Sequence, residues 1–269
     1  MRAILNRPRL RLPQMPIRLP WGWLLAALLL YLLALVASAP ASLVPWQLSR
    51  QMPDQRLSLG QVSGTVWRGA AGQVWWRDGN GRVQALGALR WRLRFLPLLR
   101  GRLVVGLELN GPAGRLRTDL RRQGPGWQLT GLEGQAPAAF WAGQQAQLRT
   151  LDPGGTLLLR FAELQLGPQG LRGRGELRWQ DAAFRLSPVN PLGSYRLSLQ
   201  GRQLRLDTLS GILRLQGGGE IPAGSGPVAL SGTARLEGPD APRLAPLLYA
   251  LGPSQGGGVH AFTFTLNNP

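Results

Sequence analysis

The chain has no cysteine, no lysine and a single histidine among its 269 residues. Without cysteine there is no disulfide, no zinc–thiolate site and no cysteine nucleophile, and thiol usage says nothing of the redox compartment. The lone His260 cannot build a zinc site or be oriented into a triad by a neighbouring motif. GxSxG, SxxK, GxxxxGK[ST] and HExxH patterns are all missing. The 13 acidic residues are scattered, so two that met in space as a glycosidase pair would not be visible in sequence. "GGGEIPAGSG" at 217–226 has neither the following helix nor the lysine of a phosphate-cradling loop, and reads as a long flexible hairpin. These absences point to a protein that is not an enzyme and has no cofactor, no metal and no catalytic residue.

What is abundant is arginine. All 31 basic residues are arginine, against 13 acids, and glycine (37) and proline (22) are high as well. A GC-rich coding bias produces that combination without any ligand, while a partner of opposite sign accounts for it equally in kind, since charge speaks to association rather than to fold.

Residues 21–37, "WGWLLAALLLYLLALVA", form an uncharged apolar run near the lower length limit for crossing a bilayer. Arg2, Arg7, Arg9, Arg11 and Arg18 precede it and the first acid is Asp54, so the positive-inside rule places the N-terminus in the cytoplasm and the remainder outside it. That topology argues against nucleic acid as a partner. The competing reading is a cleaved signal peptide, because Ala37-Ser38-Ala39 has the small-x-small pattern. Pro40 after the scissile bond fixes φ and lacks an N–H, which argues for an uncleaved anchor. The organisation expected is a basic cytoplasmic tail (1–20), a transmembrane anchor (21–39), a juxtamembrane linker or short helix around Trp46 (40–55) and a periplasmic β domain (56–269).

Period-2 alternation dominates that last region. Leu103, Val105, Leu107 and Leu109 share one face opposite Arg102, Glu108 and Asn110, and the pattern recurs at 171–180, 195–200, 228–236 and 262–266. Between 156 and 166 the parity switches from Leu157, Leu159 and Phe161 to Leu164 and Leu166, as one extra residue at a bulge would do. "DGNG", "NGPAG", "GPG", "LGPQG" and "QGGG" supply turns between roughly a dozen strands. Long amphipathic crossover helices are missing, so the fold class expected is mainly β. It would be a large curved antiparallel sheet, open and half-pipe-like, with one or two short helices at 242–252 and 137–148. A sandwich and a closed barrel share the same signature. The N-terminal apolar run counts against an outer-membrane barrel.

Two groups stand out within the β region. "GQVSGTVWRGAAGQVWW" at 60–76 fits two strands with "RGAAG" as the turn, Gly69 or Gly72 taking positive φ, and Trp67, Trp75 and Trp76 capping one end or lip of the sheet interior. In "LRWRLRF", Arg90, Arg92 and Arg94 project to one side, followed by Arg100 and Arg102; they are either a solvated face or a contact for an acidic partner or lipid phosphates.

The order of "GTVWRG" (64–69: Gly64, Thr65, Val66, Trp67 and Gly69 as its markers), "LRWRLRFLPLLRGRL" (89–103), "LGSYRLSLQG" (192–201), "LRLDTLSGILRLQGGGEI" (204–221) and "LAPLLYALGP" (244–253) resembles the type II secretion system protein N (GspN) family. The resemblance implies a single-pass inner-membrane component of a Gram-negative secretion machine. Its periplasmic β domain would be non-catalytic and would work as an accessory or assembly part through contacts with other secretion proteins of the platform or the secretin connection. More distantly, the family resembles AsmA-like and lipopolysaccharide-transport proteins, which implies as alternative a lipid-binding or lipid-transfer β groove, with Trp75, Trp76 and the arginines as contacts.

Overall fold

The computed structural model describes residues 21–45, 57–77, 81–143, 152–185, 187–224 and 226–266. The basic tail at 1–20, Trp46 with the rest of the juxtamembrane stretch to 56, and most of "DGNG" lie outside those residues. The chain forms two compact units, residues 1–39 and 40–269.

In the first unit α1 (Trp21–Ala37) is a 17-residue helix with no buried residue. Its leucines and alanines favour helix, and no charged side chain interrupts it. At 1.5 Å per residue it is about 25 Å long against a hydrocarbon core of about 30 Å. Among the described residues no helix is long and apolar enough to cross a membrane, so the expected span is not confirmed.

The second unit is one open antiparallel sheet. Its strands are β1 (Leu57–Gly64), β2 (Arg68–Arg77), β3 (Val83–Leu93), β4 (Val104–Gly111), β5 (Gly114–Gln123), β6 (Gly126–Pro137), β7 (Pro153–Gly167), β8 (Gly170–Phe184), β9 (Gly193–Gly201), β10 (Gln203–Gly211), β11 (Leu213–Glu220), β12 (Val228–Leu236), β13 (Ser254–Gly256) and β14 (Val259–Leu266). They lie side by side in chain order from β1 to β12, followed by β14 and then β13 at the far edge. The connections formed wholly by described residues are hairpins or short excursions, in keeping with the turn-rich sequence. Both outer strands are poor templates for further pairing: β1 leaves extended backbone at Gln61, where φ is 52°, and β13 has three residues.

The parity switch at 156–166 is a bulge with a partner. Gly131 in β6 (φ 61°) and Ala162 in β7 sit side by side, because Thr130 pairs with Glu163 and Leu132 with Phe161 in unbroken register. Both neighbouring pairs shift by one at that level, Arg117–Asp119 of β5 against β6 and Phe161–Glu163 of β7 against β8. Two extra residues placed together keep β6 and β7 in step while the strands outside them slip.

Among the described residues this unit has, besides a helical start at residues 43–45, the short helices α2 (Phe95–Leu98), α3 (Ala138–Ala142) and α4 (Ala241–Leu251). The last two fall where sequence expects helix, although the stretch after Gly143 in the first lies outside the described residues. The four-residue α2 was not anticipated and interrupts "RFLPLLR" with a tight turn. Helix α4 takes Pro242 in its first turn, where a missing N–H costs little, and tolerates Pro246 inside. Leu244 and Leu248, four residues apart and so on one face, are buried against Leu192, Leu213, Ala234 and Phe262. A second buried cluster joins Ala41, Ala71, Val74 and Trp91 near the β1 edge. Between the two clusters the leucines of one sheet face, among them Leu109, Leu116, Leu159 and Leu177, form a half-buried cross-strand row.

Candidate interaction surface

Strand alternation sends Arg90, Arg92 and Arg94 to one face of β3, opposite half-buried Leu89 and Leu93 and buried Trp91. Register then decides what stands beside each arginine. Arg90 pairs with Glu108, Glu108 with Arg117, Arg117 with Glu133, Glu133 with Arg160, and Arg160 with Glu176. One row across β3 to β8 therefore alternates in sign at every step, an arrangement worth about 0.2–1 kcal/mol per opposed pair. Glu108 and Arg117 close to 3.6 Å, and Glu176 receives Arg178 at 2.6 Å and Arg196 at 3.3 Å. Alternation within single strands was legible in sequence, but a row across six strands needs the register.

The next row starts with arginine on both sides. Arg68 and Arg92 are direct cross-strand partners, and Arg92 faces Gly106. Neither guanidinium has an ion-pair partner among the described residues. Arg94 is held by Asp119 at 2.7 Å. Arg68, Arg90, Arg92, Arg94 and Arg117 surround a concavity of about 630 Å³ whose only carboxylates are Glu108 and Asp119. A second, of about 600 Å³, is lined by Arg94, Arg100, Arg102, Arg121 and Arg122 and has no acidic residue in its wall.

Several positions of the glycine and tryptophan stretch have a turn-closing or packing role. Thr65 closes the β1–β2 turn: its N–H donates to the Arg68 carbonyl at 2.9 Å, and the Arg68 N–H donates to Thr65 Oγ1 at 3.2 Å. The turn is thus Thr65–Trp67, and "RGAAG", expected to be the turn, is strand. Gly64 carries the positive φ, at 90°, and not Gly69 or Gly72. Gly69 is glycine for space, since a Cβ there would lie 2.2 Å from the Trp91 indole. Trp91 Nε1–H donates to the Val66 carbonyl at 3.1 Å, locking the indole over Gly69. Trp75 similarly covers Gly60, where a Cβ would lie 2.5 Å away. The expectation that Trp67, Trp75 and Trp76 gather at one end fails. Trp67 precedes β2 and packs edge-on against Phe95 at 5.5 Å, whereas Trp75 and Trp76 lie at the opposite end of the same strand.

The remaining candidates are structural. His260 is 4% exposed, its Nδ1 lies 2.9 Å from the Gly252 carbonyl, and Tyr249 meets the ring edge-on at 5.0 Å. As a carbonyl only accepts, Nδ1 carries the proton. No group of three or more His, Asp and Glu able to hold a metal occurs among the described residues. Burial pushes the Tyr195 phenol well above its usual range, and its hydroxyl donates to the Leu213 carbonyl at 3.1 Å. Arg214, 2.7 Å from Glu237, holds that carboxyl below the ordinary range through its hydrogen bond.

Comparison with known proteins follows the same line. The family described as "Type II secretion system (T2SS), protein N" matches residues 55–263. A curated relative, "Type II secretion system protein N" of Klebsiella pneumoniae, is 35% identical over 177 residues, covering 62% of this chain and 61% of its own length. No solved structure matches. With a family match running from the start of β1 into β14, this chain belongs to the type II secretion system protein N family.

Proposed function

We propose that this protein is a non-catalytic assembly component of the type II secretion machine, anchored in the inner membrane by α1, with its β unit in the periplasm. The family match over residues 55–263 carries the reading. The uncharged α1 and the arginines that precede it in sequence support the anchor and its orientation. Other secretion proteins would be contacted through the arginine-rich face around Arg68, Arg90 and Arg92, which offers bidentate donors to carboxylates. The lipid-groove alternative gains no support from the family match or the curated relative, both of which are described by the secretion system alone.

The test is a gene deletion complemented by the wild-type chain or by Arg68→Glu/Arg92→Glu, with secretion and the levels of the other machine components as readouts. The deletion should lower one or both and the wild type restore them, while the charge-reversed chain should accumulate normally yet fail to restore. An unaltered secretion phenotype and unaltered component levels on deletion would overturn the assembly role. Alkaline phosphatase fused after residue 269 reports the orientation, and an inactive fusion contradicts the periplasmic placement.

A further inference from the structure

Among the described residues, the link between β3 and β4 carries the two most exposed leucines of the β unit, alongside a concavity with no acidic residue in its wall. Leu96 is 77% exposed and Leu99 70%, and both ride on the α2 turn, closed by the Leu99 and Arg100 N–H groups on the Phe95 and Pro97 carbonyls. Phe95, at the base, is held against Trp67. Arg100, Arg102 and Arg121 flank the turn without an ion-pair partner among the described residues. Arg122 stacks on Trp127 at 5.1 Å, leaving its charge at the rim. A soluble surface does not gain from two leucines held outward on a rigid turn, and arginines collected with no carboxylate beside them repel one another until an anion arrives.

Position in the fold identifies the occupant. Strand direction puts this turn at the same end of the sheet as the β1–β2 turn. There Pro40 bridges Thr65 and the Ala41 N–H donates to the Gly64 carbonyl at 3.1 Å. The chain therefore enters the β unit at this end, three residues after the apolar α1 finishes at Ala37.

We infer that the α2 turn is a membrane-docking finger: Leu96 and Leu99 enter the headgroup–acyl boundary of an anionic bilayer while Arg100, Arg102 and Arg121 hold lipid phosphates. This is contact with a membrane surface, not a lipid-carrying groove. It adds to the anchor proposed above a second point of attachment, which fixes which end of the sheet faces the bilayer. Apolar side chains supply insertion and arginines the attraction to anionic headgroups, each basic residue being worth about a fivefold preference.

Because the chain has no cysteine, a single introduced thiol labels one site only. The full chain carrying Leu96→Cys with an environment-sensitive fluorophore is reconstituted into phosphatidylglycerol-containing vesicles and, separately, into purely zwitterionic ones. Val83→Cys serves as control, since it is 55% exposed and starts the strand that ends at Leu93, about 33 Å away along β3. The expected result is a blue shift, with quenching by brominated acyl chains, at position 96 but not at 83. The effect should be stronger with anionic lipid and mostly lost in Arg100→Glu/Arg121→Glu. Flotation of the chain with a label at 96 that stays in water leaves the anchor standing and overturns the finger; failure to float overturns both. A label at 96 in water on vesicles but shielded in native inner membranes would assign the turn to a protein partner and equally overturn the inference.

Discussion

Gly69→Ala is the sharpest probe of how the glycine and tryptophan stretch works. The new methyl would sit 2.2 Å from Trp91 Cζ2 and 2.6 Å from its Cε2, against an ordinary carbon–carbon separation of about 3.5–4.0 Å. The indole has little freedom to retreat, because it is 8% exposed within the cluster of Ala71 and Val74 and bonded to the Val66 carbonyl. Overpacking of this kind costs about 1–3 kcal/mol and loss of the indole hydrogen bond about 1 kcal/mol more. Reduced freedom of the unfolded chain returns about 0.4–1 kcal/mol, leaving a net loss of about 1–3 kcal/mol. For a unit of this size that lowers Tm by about 3–10 °C. The assay is thermal unfolding of the purified full chain, followed by tryptophan emission. In a Trp91→Leu background the same substitution should cost only what the Thr65 carbonyl, 2.9 Å from the same position, still imposes. An equal cost in both backgrounds, or none in the wild type, would refute the assignment of Gly69 as space for the indole.

Other expectations follow from the same contacts. Tyr195→Phe should lose about 1 kcal/mol of stability in chemical denaturation at neutral pH, by leaving the Leu213 carbonyl without its donor. The raised Tyr195 pKa means that the neutral phenol stabilises the fold fully below the unfolded tyrosine pKa and loses this as pH rises towards the folded value. The alkaline decline in Tm should therefore be shallower in the phenylalanine variant. The lowered Glu237 pKa has the opposite sense: its contribution is present above the ordinary carboxylate range and fades as pH falls through the folded value, so Glu237→Gln should flatten the acid limb of a Tm–pH profile. Glu133→Arg would place three arginines abreast, from Arg117 to Arg160. It should destabilise by about 0.5–2 kcal/mol at low salt, with a smaller loss at high salt; a salt-independent effect in denaturant titration would count against the charge row.

The meander was readable because each strand carries its own record. Leu103 to Leu109 alternate, turn residues interrupt, and the parity switch at Phe161–Leu164 marks a bulge. What was not readable depends on two strands at once. "RGAAG" has turn composition, yet Thr65 and Arg68 close the turn earlier, and Gly69 belongs in strand because of an indole 22 positions away. The sequence likewise suggested a gathering of Trp67, Trp75 and Trp76, which β2 being a continuous ten-residue strand rules out. The row from Arg90 to Glu176 consists of residues that look unrelated until six strands are aligned. Leu96 and Leu99 are not legible as an exposed turn because apolar residues beside a strand look like more strand. The signal that could have found them was Pro97 between two leucines, bounded by arginines, a composition suited to a turn and not to a ladder.

The strand order has a consequence for how such a chain is made. From β1 to β12 each strand's partner is the one synthesised just before it, so no segment has to wait for a distant one. Sequence separations between paired strands stay short, which favours rapid zippering of local hairpins over slow search. A chain delivered across a membrane from its N-terminal end could lay down its sheet in the order of arrival, like a fabric knitted row by row. The last rows are added when β14 pairs with β12 and β13 takes the far edge. Damage to one hairpin would then stall growth at that row and leave the earlier ones standing, the behaviour of a linear array more than of a globule with a single nucleus.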